Sequence, residues 1–284
     1  MKSVVVTGVS TGIGWGCVKV LIASGFRVFG SVRKQADAER LSKEFGPSFL
    51  PLIFDVTDAA AVANGAKQVE AALGGQTLLG LVNNAGIAVL GPLLKLKIEE
   101  FERQLAVNLA GPLIVTQAFA SLLGVDRSRQ GPPGRIVMIS SVGGKNAMPF
   151  LGPYCASKFG LEGLSESLRR ELMLFGVDVV VINPGAIATP IWEKSAAVDV
   201  QFADTPFGPA VAAVKRYMLS LSKSGFPPER IGETVLKALT VARPKARYVV
   251  TPTPLQDFLA RSLPKRLVDR LIADRLGLRP PRAG

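Results

Sequence analysis

The sequence predicts one α/β domain over residues 1–284, with a doubly wound parallel sheet of six or seven strands and helices on both faces. Three observations carry that prediction. Apolar runs of a few residues alternate with longer helical stretches, as strands alternate with crossover helices in a parallel sheet. A glycine turn, TGVSTGIG at 7–14, directly follows the first apolar run. The chain of 284 residues contains no internal repeat and no low-complexity block, so one large core accounts for its length.

The expected strands are 3–6, 27–31, 49–54, 78–83, 135–140, 177–183 and 247–250. Between the first two, residues 14–24 keep a helical stripe of Cys17, Val20 and Leu21, and Gly25 is placed to stop that helix. Residues 98–123 read as one long helix with Pro112 inside it, which implies a kink or a local break. A second long helix is expected over 154–175, stopped by Gly176. The region 185–228 is rich in Pro, Gly and aromatics and breaks the rhythm. It reads as a lid or substrate loop carrying a short helix at 209–222. The extension 252–284 has an apolar helical stripe at Leu255, Phe258, Leu259, Leu263, Leu267, Leu271 and Ile272, interrupted by Pro264, with basic residues on other faces. Packing on the body or on a partner subunit is expected of it, with weak peripheral contact to an anionic membrane surface as the second reading.

Composition removes several function classes. Gly8-Val9-Ser10-Thr11-Gly12 matches the G-x-S-x-G of a hydrolase elbow, yet the chain has no histidine to take a serine proton. The same absence argues against His-ligated zinc, and no metal site is expected. Proton transfer falls to Tyr, Lys, Asp, Glu or Cys. The two cysteines, Cys17 and Cys155, have neither metal-ligand spacing nor a disulfide framework. There is no uninterrupted apolar run of membrane-spanning length and no signal-peptide pattern, so a cytoplasmic location is expected. The net charge of +12 is spread along the chain without an aromatic-interleaved motif, and no nucleic-acid partner is expected.

The remaining reading of 7–14 is a nucleotide-binding turn. Gly8, Gly12 and Gly14 let the backbone approach a pyrophosphate, whose charge the N-terminus of the following helix stabilises. The spacing G-x-x-x-G-x-G departs from the usual G-x-G-x-x-G. It is joined by Asn83-Asn84-Ala85-Gly86 after one strand, Ser141 after another, and Tyr154 and Lys158 one helical turn apart. Together with Asn108 in VNLAG, ISS ending at Ser141, YCASK at 154–158 and NPGAIAT at 183–189, these motifs resemble the short-chain dehydrogenase/reductase family over residues 2–189. The fold implied is of the Rossmann type.

The chemistry of Tyr154 and Lys158 can be read without the family. Four residues apart, they share a helix face, and a cation close to a phenol favours the phenolate. A free tyrosine titrates near ~10, and a close cation lowers an acid by roughly 1 to 3 units. Tyr154 is therefore expected to have a lowered pKa and to act as general acid and base. The resemblance implies that Ser141, rather than Ser140, stabilises the reacting oxygen, that Lys158 also holds the nicotinamide ribose, and that Asn108 completes a proton relay.

The resemblance also implies a cofactor surface: Gly8, Ser10, Thr11, Gly12, Ile13 and Gly14 at the turn, Asp55 and Val56 at the adenine, Asn83, Ala85 and Gly86 beside the sheet, and Pro184, Gly185, Ile187 and Thr189 at the nicotinamide, with Tyr154 and Lys158. At the end of the second strand, where an acidic residue would favour NAD, stand Val32, Arg33 and Lys34. Arg33 can pair with a 2'-phosphate, so NADP(H) is expected over NAD(H), although Thr11 stands where many NADP-dependent members carry a basic residue. Asp55 has a second reading as a helix cap for the segment beginning at Asp58.

Substrate contacts are expected from Val142, Met148, Phe150 and Trp192, with Leu151 and the loop residues Phe202, Phe207, Tyr217 and Met218 as further wall. Each of these aromatics can equally be core. The chain most resembles the branch of 17-beta-hydroxysteroid and retinol dehydrogenases, which implies a hydrophobic ketone, aldehyde or secondary alcohol of steroid-like or retinoid-like character. The alternatives are a 3-oxoacyl-thioester reductase and a catalytically silent NADPH-binding protein. Family resemblance further implies a homodimer or homotetramer.

Overall fold

The computed structural model describes residues 2–193 and 201–279. Strands β1 (Ser3–Val6), β2 (Arg27–Val32), β3 (Phe49–Ile53), β4 (Gly80–Asn83), β5 (Arg135–Ile139), β6 (Asp178–Pro184) and β7 (Arg247–Val250) form one parallel seven-stranded sheet in the order β3-β2-β1-β4-β5-β6-β7. The order reverses between β1 and β4, where a doubly wound sheet opens a crevice beyond its carboxyl edge.

Strand periodicity divides the apolar residues into two cores. Val4, Val6, Val82, Val137, Ile139, Val180 and Ile182 face one side, where α1 (Gly12–Ala23) and α8 (Glu229–Thr240) lie. Val5, Leu81, Ile136, Met138, Val179 and Val181 face the other, against α3 (Ala59–Leu73), α5 (Gly111–Phe119) and α6 (Gly152–Glu171). Neighbours in sequence thus serve opposite faces, and burial of each such side chain contributes about 1.5–3 kcal/mol. Helix α1 meets α8 through glycines: a Cβ on Gly16 would stand 2.6 Å from the Pro228 carbonyl carbon, and one on Gly232 would stand 2.6 Å from the Gly16 oxygen.

The long helix expected over 98–123 is present but not uniform. Helix α4 (Ile98–Leu105) leads through a π turn (Ala106–Ala110) into α5 and ends in a 3₁₀ turn (Ala120–Leu123). Pro112 has no N–H to return to the carbonyl four residues back, at Asn108, and the π turn takes up the mismatch. This stretch is long and apolar enough to cross a bilayer. Here it packs on the sheet through Val115 and Phe119. Helix α2 (Gln35–Phe45) completes the β2–β3 crossover.

After β6 the chain carries α7 (Gly208–Ser224), slightly longer than expected, then α8 and β7. The extension forms two helices broken at Pro264, α9 (Pro254–Ser262) and α10 (Lys265–Leu276). Val268 is buried, Leu276 and Leu278 pack on a third apolar cluster, and Arg275 lies over the Tyr217 ring at 5.2 Å. Leu255, Phe258, Leu259, Leu267 and Leu271 remain exposed.

Candidate active site

A cleft of about 550 Å³ opens over the carboxyl edge of β1 and β4. Its floor is a hydrogen-bonded clasp. Asn84 Nδ2 donates to the Thr7 and Gly8 carbonyls at 2.8 and 3.1 Å, and Thr7 Oγ1 accepts from the Asn84 and Ala85 N–H groups at 2.9 and 3.0 Å. The Gly8 N–H reaches Ser31 Oγ at 3.0 Å, which fixes the turn to β2. Gly8 and Gly12 have φ of +69° and +61°, backbone that other residues adopt only with strain. Thr11 caps α1 without a side-chain hydrogen bond, and no acidic residue stands in the first turn. Gly12 and Ile13 line the cleft there, so the helix presents unsatisfied N–H groups to an anion. The donor set and the bare turn fit a dinucleotide pyrophosphate.

Most expected cofactor residues line this cleft: Gly8, Ser10, Thr11, Gly12, Ile13, Arg33, Asp55, Val56, Ala85, Gly86, Tyr154, Lys158, Pro184, Gly185, Ile187 and Thr189. Two do not. Asn83, the last residue of β4, turns to the opposite face by strand alternation, where Nδ2 donates to Thr116 Oγ1 at 3.0 Å. Asn84 stands in the cleft instead. Gly14 lies beneath the turn, where a Cβ would come 2.2 Å from the Gly8 oxygen; its role is close packing.

At the far end, Asp55 Oδ1 accepts from the Thr57 N–H and hydroxyl at 3.0 and 2.8 Å, while Oδ2 stands 3.7 Å from Arg33 Nη1. Burial pushes the Asp55 carboxyl up, but the Thr57 hydrogen bonds and the Arg33 guanidinium outweigh it and hold it below its ordinary value. The helix-cap reading of Asp55 is overturned, because Asp58 caps α3 itself by accepting from the Ala61 N–H. Arg40, which carries no motif, braces the turn by donating to the Ser10 carbonyl at 2.7 Å.

The reacting end is formed by the end of β5 and the start of α6. Ser141 and Tyr154 converge over Gly143, where a Cβ would stand 3.3 Å from Ser141 Oγ and from Tyr154 Cε1, and Ser141 Oγ accepts from the Gly143 N–H at 3.0 Å. Trp192 meets Tyr154 edge-on with ring centroids 5.5 Å apart. Lys158 is buried; its Nζ donates to the Ile139 carbonyl at 2.8 Å and lies 5.9 Å from the centre of the Tyr154 ring. The lowered phenol expected from Lys158 is not found. Burial pushes Tyr154 up to about 12 despite the neighbouring Ser141 hydroxyl, and burial pushes Lys158 itself down to about 8. Desolvation dominates here, and Lys158, with its ammonium on the Ile139 carbonyl, is not among the groups that shift the phenol. Cys17 and Cys155 are also pushed up by burial, Cys17 to about 12, and remain thiols.

Asn108 is held on the π turn. Its Oδ1 accepts from the Ile87 N–H at 2.9 Å, and Nδ2 donates to the Ile87 carbonyl and Ser157 Oγ at 3.0 and 3.2 Å. Of the expected substrate residues only Trp192 lines the cleft. Val142 opens a 3₁₀ turn that brings Gly143, not Val142, against Ser141 and Tyr154. Met148, Phe150, Leu151, Phe202, Phe207, Tyr217 and Met218 belong to the third apolar cluster, behind Tyr154, because large rings gain more by packing on one another than by facing the cleft. The sequence reading missed Leu90, Ile191, Glu100, Arg103 and Gln201, which complete the mouth.

A parallel crevice with a phosphate-ready turn at one end and a Ser–Tyr–Lys group at the other defines a nucleotide-dependent oxidoreductase. A family model described as short chain dehydrogenase matches residues 2–199, and the chain belongs to that family. Over 272 residues, 95% of this chain and 96% of the relative, it is 39% identical to the NADPH-dependent 3-dehydrocapnine reductase of Ornithobacterium rhinotracheale. It is 40% identical to human retinol dehydrogenase 5 over 66% of this chain and 57% of that one. A short chain dehydrogenase/reductase from Burkholderia phymatum, solved in complex with NAD, shares the fold with a TM-score of 0.78 at 20% identity, covering 100% of this chain and 98% of that one.

Proposed function

We propose that the protein is an NADPH-dependent carbonyl reductase acting on a hydrophobic ketone or aldehyde. The observation that carries this is the buried group of Ser141, Tyr154 and Lys158 beside Trp192. The Gly12 and Ile13 N–H groups would hold the pyrophosphate, Arg33 the 2'-phosphate, Asp55 and Val56 the adenine, and Lys158 and Tyr154 the nicotinamide ribose. Pro184, Gly185, Ile187 and Thr189 would flank the nicotinamide, which when bound supplies the hydride.

The protein's own residues handle the proton. Tyr154, pushed up to about 12, keeps its phenolic hydrogen at neutral pH and can give it to a carbonyl oxygen. The Ser141 hydroxyl donates to the same oxygen as charge develops there, an interaction worth roughly 10²–10³ in rate when such a donor is removed. Lys158, its Nζ 5.9 Å from the centre of the Tyr154 ring, supplies positive charge as the phenol loses its proton, and Asn108 braces the chain at Ile87. Trp192, Leu90 and Ile191 offer an apolar rim to the rest of the substrate.

A relative of matching length is named an NADPH-dependent 3-dehydrocapnine reductase, which supports NADPH and a carbonyl substrate. The test is oxidation of NADPH and of NADH with 3-dehydrocapnine, ketosteroids, retinal and a β-ketoacyl thioester. Turnover with the first three classes and a preference for NADPH is expected. Activity confined to the thioester selects the acyl-thioester reading, and cofactor binding without any turnover selects the silent binder.

A further inference from the structure

Helix α6 buries a second ionised group one turn beyond Lys158. Glu162 is 3% exposed. Its Oε1 accepts from Asn183 Nδ2 at 2.6 Å, and its Oε2 stands 3.1 Å from Lys145 Nζ and 2.5 Å from Arg247 Nη2. Arg247 also reaches Glu166, a further turn along α6, at 3.6 Å. Three elements beyond the catalytic helix therefore converge on one carboxylate: the turn after β5, β6 and β7. No step described above uses it.

We propose that Glu162 is a positioning residue that keeps the buried Lys158 charged beneath Tyr154, and that Lys145 and Arg247 set how much of its negative charge Lys158 feels. The geometry is that of a shared carboxylate. Tyr154, Lys158 and Glu162 recur at four-residue spacing on one face of α6. Lys158 spends its ammonium on the Ile139 carbonyl and, among the described residues, forms no ion pair of its own. Glu166, the other anion of this cluster, lies two turns from Lys158 along α6 and faces Arg247 at 3.6 Å. Burial pushes Lys158 down, and Glu162 is the group that pushes it back up. Glu162 can do so because it stays ionised: burial raises it, but the Asn183 hydrogen bond, the nearby Ser140 hydroxyl, the Lys145 ammonium and the charge of Arg247 hold it below its ordinary value.

This rests on the reductase reading for its kinetic consequence but not for its physical one. The test therefore has two readouts. The first is the titration of Lys158 in the cofactor-free protein, followed by NMR of ¹³Cε-labelled lysine and assigned by the signal lost in Lys158→Met. The second is the alkaline limb of the pH profile of carbonyl reduction. Glu162→Gln should move both downward by on the order of one pH unit, and Glu162→Asp should restore part of the shift. Lys145→Gln should move both upward, because it leaves more of the Glu162 charge to Lys158. It also serves if Glu162→Gln does not fold. A Lys158 titration unmoved by these substitutions, or moved the same way by Glu162→Gln and Lys145→Gln, overturns the proposal. Opposite shifts in a protein that reduces no carbonyl uphold the coupling and count only against the reductase reading.

Discussion

The two walls of the cleft are built by different means. The cofactor wall is backbone held by polar side chains: Thr7, Ser31 and Asn84 hydrogen-bond the turn's peptide groups, and Gly8 and Gly14 have no room for a Cβ. The wall behind Tyr154 is an apolar cluster in which Phe150, Phe202, Phe207 and Met218 hold one another. Phe150 is the one residue other than glycine with positive φ among those described, at +63°, and its ring packs edge-on against Phe207. A hydrogen-bonded turn tolerates few sequences, whereas an apolar cluster accepts many of similar volume. The first wall can serve one cofactor chemistry throughout a family while the second changes with the substrate.

Substitutions can break or sharpen this contrast. The largest effect is expected at the junction of the walls. Tyr154→Phe should lower kcat by roughly 10²–10⁴-fold and weaken NADPH binding by no more than the roughly 0.5–1.5 kcal/mol of one ribose hydrogen bond, as fluorescence titration would check. Retained turnover would remove Tyr154 from the chemistry. Next comes Gly14→Ala, whose Cβ would stand 2.2 Å from the Gly8 oxygen and 2.6 Å from Asn84 Nδ2. Displacing that clasp should cost about 1–3 kcal/mol and weaken NADPH binding. Gly163→Ala, in open space on α6, is the control and should leave cofactor binding alone.

In the other wall, Phe207→Ala should lower stability by about 1–3 kcal/mol, less than the loss of a fully buried ring, and raise the substrate KM with NADPH affinity intact. An equal loss of NADPH affinity would mean that the walls are not separable. The smallest change is expected from Arg33→Asp. Its side chain is 67% exposed, so the shift of preference towards NADH should be about 1 kcal/mol, roughly fivefold in the ratio of kcat/KM values.

The same contrast explains what the sequence made legible. Strands were readable to within a residue or two because β1, β4, β5 and β6 are buried on both faces and appear as unbroken apolar runs. Ser141, Tyr154 and Lys158 were readable because one helical turn and one strand end bring them together. The choice between Asn83 and Asn84 was not, since it turns on which side of the last pleat each side chain leaves. Phe150 and Met148 have the composition of a pocket wall and the position of a core, and only packing separates the two. The raised Tyr154 was hidden for another reason: spacing shows the cation but not the burial that raises the phenol. Glu162 was within reach, four residues past Lys158 on the same face, although its partners Lys145 and Arg247 come from distant parts of the chain.

The most direct test of the account is isotopic. The protein is given NADPH carrying deuterium at both C4 positions of the nicotinamide, together with the ketone it turns over best, and the alcohol is examined by mass spectrometry. One deuterium on the carbinol carbon for each NADPH consumed is the predicted result. An alcohol without deuterium, or NADPH bound and never consumed, would contradict hydride transfer in this cleft.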